Sequence, residues 1–218
     1  MKMLTIPMAR LRAGLLLLVV SMVVLPVQAQ QAESPEALIR DSVDALMSQI
    51  EGRKDYFAQH PDELASVVED NLTEVADMRY IGASVMGRYF GNATPRQRSR
   101  FVETFRQTLI DTYSRGLVTF DYREIRVLDD QEGSRYEDQA SVGMEVVGTD
   151  GTVYPISYTM RLDEGSWKVV NVIVNGINLG LTFRNQFDQA MRQHNRDYDA
   201  VIEGWAPELD VDELEDGE

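Results

Sequence analysis

The sequence predicts an α+β domain in which an N-terminal helical layer packs on one face of an antiparallel sheet of about four strands. Three observations carry this expectation. Apolar residues between Ser34 and Leu117 recur at helical spacing. From Thr119 the period changes to two, and short turns containing Gly and Asp separate the runs. Helical spacing then returns before an acidic end.

Ser34-Pro35-Glu36 reads as an N-cap with proline at the first helical position, and Leu38, Ile39, Ala45, Leu46 and Ile50 supply the apolar side of the first helix. A second helix is expected from about Pro61, with Leu64, Val67, Val68, Leu72 and Val75 inward. The preceding His60-Pro61-Asp62 spells the tripeptide of J-domain co-chaperones, but its flanks do not match one, and a turn into a helix accounts for it. A third helix spans about Met78 to Tyr89 and ends near Gly91. Thr94-Pro95-Arg96-Gln97 then combines an N-cap threonine, a first-position proline and a glutamine three residues on, which is the capping-box pattern. Phe101, Val102, Phe105, Leu109, Tyr113 and Leu117 follow as one apolar stripe.

Strands are expected near Phe120 to Leu128, Tyr136 to Val147, Tyr154 to Leu162 and Trp167 to Val174. The turns Thr149-Asp150-Gly151 and Asp163-Glu164-Gly165 join the last three of these as hairpins. Strands that alternate this cleanly have one face on a core and one in water. Helices from about Leu181 to Gln193 and Tyr198 to Ile202 close the domain, which is expected to run over residues 30–205.

Composition bounds the chemistry. Lys2, Arg10 and Arg12 precede an apolar run from Ala13 to Leu25, broken by Pro26 and followed by Val27-Gln28-Ala29, so residues 1–29 read as a cleaved signal peptide. The run is shorter than the ~20 residues a spanning helix needs. These 29 residues hold three of the 21 Lys+Arg and none of the 36 Asp+Glu, leaving 18 cations against 36 acids, a net charge of −18. Such a surface repels nucleic acid and anionic membranes. Residues 206–218 form an acidic tail expected to be disordered, with seven acids from Glu208 to Glu218. With zero cysteines there is neither disulfide nor thiolate chemistry. Neither a phosphate-cradling glycine loop nor a zinc or Ser-His-Asp pattern occurs, so no cofactor and no metal are expected. Asp129, Asp130 and Glu132 lack EF-hand spacing and read as solvated acids.

Periodicity also nominates a pocket lining. From the helices come Val85, Tyr89, Phe90, Phe101, Phe105, Leu109, Tyr113 and Phe187. The strands and the turn after them add Met144, Tyr158, Met160, Trp167, Val172, Val174 and Leu179. The same stripes would make an ordinary core, and flexible methionines would suit an adaptable pocket. Arg88, Arg96, Arg98 and Arg100 concentrate positive charge in an acidic chain, either as a solvated helix face or as a patch for an acidic partner or a lipid phosphate.

Three stretches resemble the MlaC family, also described as toluene-tolerance proteins. Val85-Met86-Gly87-Arg88-Tyr89-Phe90 leads into Ala93-Thr94-Pro95-Arg96-Gln97, where the family shows "lG..w" and "aTPeQ...F". Thr112-Tyr113 is similar to the family's "TY". The third runs from Trp167 through Asn175-Gly176-Ile177-Asn178-Leu179 to Phe183-Arg184-Asn185-Gln186-Phe187, against "WkvyDv..eGvSl...yR.qF". Asn171, Asn175, Asn178 and Phe183 depart from the family's usual Asp, Glu, Ser and Tyr. The resemblance implies a curved, NTF2-like sheet against helices with a lipid pocket between them that holds the acyl tails, and a soluble, monomeric periplasmic phospholipid carrier. Its implied partners are an outer-membrane lipoprotein–porin complex and an inner-membrane ABC transporter with an MCE-domain ring. The alternative is a small enzyme of the ketosteroid-isomerase-like kind, which needs a carboxylate in an apolar pocket. Asp138 and Glu145 are its candidates, and Asp138 would share the inward face of Ala140, Val142 and Met144.

Overall fold

The computed structural model describes residues 34–129 and 136–207. The expected signal peptide, the acidic tail from Glu208, and Asp130 and Glu132 lie outside the described residues.

Helix α1 spans Pro35–Ile50, and the Ser34 hydroxyl accepts from the Ala37 amide at 3.1 Å as its cap. A short helix that periodicity missed, α2 at Lys54–Gln59, follows Gly52, whose φ of 73° needs glycine. Six residues are too few for a helical period to register. Helix α3, Pro61–Val75, starts at the expected proline, and the His60 ring before it stacks on Tyr56 with centroids 4.0 Å apart. Asn71 ties α3 to α1, its amide donating to the Ser42 carbonyl at 3.0 Å while its oxygen accepts from the Ser42 hydroxyl at 3.1 Å.

Helix α4 is shorter than expected, Met78–Met86, and passes into a 3-10 turn at Gly87–Asn92. The cause is Gly87, whose φ of 53° leaves the helical region beside the Arg184 stem. Helix α5, Pro95–Tyr113, carries the full capping box of Thr94 and Gln97, a device that contributes about 1 kcal/mol. A single turn, α6 at Gly116–Thr119, was also not anticipated.

The sheet is open, antiparallel and five-stranded, in the order β1 (Tyr122–Val127), β2 (Gln139–Gly148), β3 (Val153–Asp163), β4 (Ser166–Val174) and β5 (Ile177–Asn178). The added strand has only two residues. Register sets the rows of one face: Val127, Met144, Ile156 and Val174 align, as do Val142, Tyr158 and Val172. The β3–β4 and β4–β5 hairpins turn on Glu164-Gly165 and Asn175-Gly176, all four at positive φ. This is the turn whose twist matches the strands, and asparagine tolerates it better than most residues.

Helix α7 (Leu179–Gln193) begins two residues earlier than expected, and α8 spans Tyr198–Glu203. The asparagines that depart from the family pattern have structural roles at this junction. Asn178 accepts from the Leu181 amide at 3.0 Å, and Asn171 accepts from the Gly180 amide at 3.1 Å. An amide oxygen satisfies these helix-start donors as a carboxylate would.

Two apolar cores result. The larger joins the sheet to α4, α5, α7 and α8 around Phe101, Phe105, Phe187 and Trp205. The Phe101 ring lies 4.7 Å from Phe187 and 5.3 Å from Trp205, both edge-on. The smaller consists of Ile50, Phe57 and Leu64 where α1, α2 and α3 meet, with Leu46, Leu117 and Val118 packed on it. Among the described residues no helix is long and apolar enough to cross a membrane.

Candidate functional site

Between the smaller core and the sheet lies an apolar cavity of about 200 Å³. Helix α1 contributes Val43, Leu46 and Met47, within one helical turn of each other and next to Ile39 on its apolar side. Gly116 and Leu117 of α6 and Phe120 close a second side. The sheet supplies Tyr122 and Ile125 from β1, Met144 and Val146 from β2, and Tyr158 from β3. Period-two alternation puts Met144 and Val146 on one face, the register shift between Tyr122 and Glu124 brings Tyr122 to the face of Ile125, and the pairs Ile125–Val146 and Val142–Tyr158 set the strands side by side.

The only polar side-chain atoms in this lining are the two phenols. Tyr158, half-buried along the wall, donates to the Met144 sulfur at 3.8 Å, a weak partner. Loss of hydration pushes its pKa up to about 12. The Tyr122 phenol is also raised, first by desolvation and then by the Glu51 carboxylate. The site is therefore uncharged over the physiological range. An unfolded tyrosine ionises near 10, so Tyr158 burial stabilises the fold fully below pH 10 and that contribution is lost as pH rises from 10 to about 12. A difference titration at 295 nm, the chain minus its Tyr158→Phe variant, should show one step near pH 12, and a step near pH 10 instead would contradict the desolvation.

Of the residues nominated by periodicity, Met144 and Tyr158 line this cavity. Val85, Tyr89, Phe101, Phe105, Met160 and Phe187 are buried in the larger core, with Phe90, Leu109, Trp167, Val172 and Leu179 packed against it. Tyr113 is half-buried and donates to the Pro207 carbonyl at 3.3 Å, and Val174 pairs with Ile156 and Ile177. Sequence reasoning missed Val43, Met47, Leu117, Ile125 and Val146. The Val43–Met47 spacing of four was the available signal, widening the apolar stripe of Ile39, Leu46 and Ile50 on α1.

None of the four nominated arginines lines the cavity. Arg88 pairs with Asp188 of α7, and Arg100 with Asp199 of α8. Arg98 donates to the Phe90 carbonyl at 2.9 Å and the Gly91 carbonyl at 3.1 Å, closing the 3-10 turn. Arg96 is exposed, with no partner among the described residues. Two roomier clefts, of about 570 and 870 Å³, flank this region. Ion pairs of Arg88 with Asp188 and of Arg161 with Asp77 cross their walls, which suits them poorly to an apolar ligand.

The carboxylates of the enzyme alternative also lie elsewhere. Asp138 is exposed ahead of β2 rather than on its inner face, and its carbonyl accepts from the Leu162 amide at 2.9 Å. Glu145 pairs with Arg126 at 3.0 Å. Among the described residues no group of three or more His, Cys, Asp or Glu is placed to hold a metal ion.

The comparisons with known proteins agree with this architecture. The toluene tolerance protein ttg2D of Pseudomonas putida is 37% identical over 202 residues, covering 91% of each chain. The intermembrane phospholipid transport system binding protein MlaC of Haemophilus influenzae is 23% identical over 150 residues, covering 67% of this chain and 69% of that one. Among solved structures, the phospholipid-binding protein of Ralstonia solanacearum, in complex with a phospholipid, superposes with a TM-score of 0.70 at 21% identity, over 84% of this chain and 98% of that one. That likeness shows the fold. The family model described as MlaC protein matches residues 40–207, nearly all of the described chain, and the protein belongs to the MlaC family.

Proposed function

We propose that the protein is a periplasmic phospholipid carrier that holds acyl tails between α1, α6 and the sheet. It would exchange lipid as a monomer between an outer-membrane lipoprotein–porin complex and an inner-membrane ABC transporter bearing an MCE-domain ring, so maintaining outer-membrane lipid asymmetry. The apolar cavity carries this reading, because a charge-free wall of aliphatic, thioether and aromatic groups recognises hydrocarbon and little else. The phospholipid named with the Ralstonia structure and the transport system named for the Haemophilus relative support it.

Energetics favour a carrier. Exposing roughly 28 methylenes at about 0.8 kcal/mol each costs about 20 kcal/mol, so a free phospholipid does not cross water unaided. A cavity of about 200 Å³ is smaller than the ~300–1,000 Å³ of pockets that take a whole ligand, so tails enter only as the helices part from β1 and β2. Helix α6 is one turn long, and α1 closes on the sheet through Val43 and Met47 beside the smaller core, so these are the elements suited to yield. Met47 and Met144 adapt to varied chains. Release then needs a partner that offers equal burial, since the cavity wall carries no group that could drive it.

The test is native mass spectrometry, with solvent extraction, of the chain expressed with its own leader and purified without detergent. A near-stoichiometric increment extracting as phospholipid is expected. A bare polypeptide mass with no uptake from vesicles would overturn the proposal.

A further inference from the structure

The apolar cavity does not end at a wall of aliphatic groups. A second hollow of about 420 Å³ shares Val43, Met47, Tyr122 and Ile125 with it, and so forms its rim between α1 and β1. The rim is charged. Helix α1 adds Arg40 and Asp44, its C-cap adds Glu51, and β1 adds Arg123 and Glu124. Positions 40, 44 and 51 fall on one side of α1 by helical spacing, and all five residues are exposed.

Some of these charges are already neutralised. Arg40 meets Asp129 at 3.0 Å. Glu124 lies 3.8 Å from Arg126, which also holds Glu145. Three charges have no ion-pair partner among the described residues: Arg123 on the strand, Asp44 on the helix and Glu51 at its C-cap. Glu51 bears on the shared wall, since its charge is one of the two influences that raise the Tyr122 phenol.

We infer that this rim selects zwitterionic phospholipids, Arg123 meeting the phosphate while the carboxylates of Asp44 and Glu51 attract the headgroup ammonium from either end of the rim; the inference rests on the tails lying in the apolar cavity. A phosphate alone would satisfy Arg123 and leave two carboxylates of the same hollow facing a like charge. A headgroup carrying an ammonium a few bonds from its phosphate supplies both signs in the arrangement that the helix and the strand present. The surrounding chain, at net −18 beyond residue 29, acts in the same direction against headgroups of net negative charge.

The chain would be incubated with vesicles of equal dioleoyl-phosphatidylethanolamine and dioleoyl-phosphatidylglycerol, re-isolated, and its lipid extracted and counted by mass spectrometry. The ethanolamine lipid is expected in about threefold excess, the size of one exposed ion pair. Asp44→Asn with Glu51→Gln should bring the ratio to about one. Asp70→Asn with Glu203→Gln, the same charge change at residues lining neither hollow, should leave it at about three. Arg123→Ala should lower uptake of both lipids alike. Lipid bound at equal ratio, or a ratio that the distant pair shifts as much as the rim pair, would overturn the inference and leave the carrier standing. A chain that takes up neither lipid would overturn both.

Discussion

Trp205→Ala is expected to destabilise the chain by about 3–5 kcal/mol, the usual cost of deleting a large buried aromatic. Trp205 is 7% exposed and packs against three rings, with centroids 5.3 Å from Phe101, 5.6 Å from Phe187 and 6.2 Å from Phe105. It lies past the last helix, so a residue outside regular secondary structure helps fill the larger core. Its indole N–H finds no acceptor among the described residues. Trp205→Phe therefore trades some lost volume against relief of an orphan donor, itself worth about 1–3 kcal/mol, and should cost far less than alanine. Urea midpoints at constant m-value measure both. Equal losses for the two variants would mean that the ring contacts are not what holds the terminus.

The second large effect concerns ligand. Val146→Trp places an indole on the inner face of β2, where Val146 sits opposite Tyr154 and Ile125 on the cavity wall. In a space of about 200 Å³ the added ring displaces hydrocarbon rather than solvent. Lipid loading should fall about tenfold or more, equivalent to about 1.4 kcal/mol. Overpacking costs folding about 1–3 kcal/mol, so urea melts must accompany the loading assay. Val153→Trp is the control: Val153 is 43% exposed and pairs with Val147 one residue along. Undiminished loading in Val146→Trp, with the fold intact, would move the tails elsewhere.

The elements that the sequence made legible are those whose signals are local. Thr94, Pro95 and Gln97 start α5 within four residues, and the alternation from Ala140 to Met160 sets two strands without reference to anything distant. Elements α2 and α6 escaped because six and four residues do not complete a period. The cavity was harder for another reason. Periodicity says which residues turn from water, but whether an inward residue meets core or hollow depends on how far two layers stand apart. Phe101 and Met144 look alike in the sequence, yet one lies in the larger core and the other on the cavity wall. The arginines repeat the lesson, since Arg88 finds Asp188 and Arg100 finds Asp199 across about a hundred residues of chain.

The strand order has a consequence for how the molecule is assembled. Because β1 to β5 are spatial neighbours in the order of the chain, each strand adds to one already in place, with loops of two residues at the last two hairpins. Closing such loops costs little entropy. The interior, however, stays open until the end: Phe183, Phe187 and Trp205 arrive with the final stretch and complete the aromatic cluster around Phe101 and Phe105. For a chain that emerges N-terminus first, the meander is laid down strand by strand, whereas commitment to the packed state waits for Trp205, about thirty residues after the last strand. A truncation just short of Trp205 would leave a finished sheet and an unsealed core.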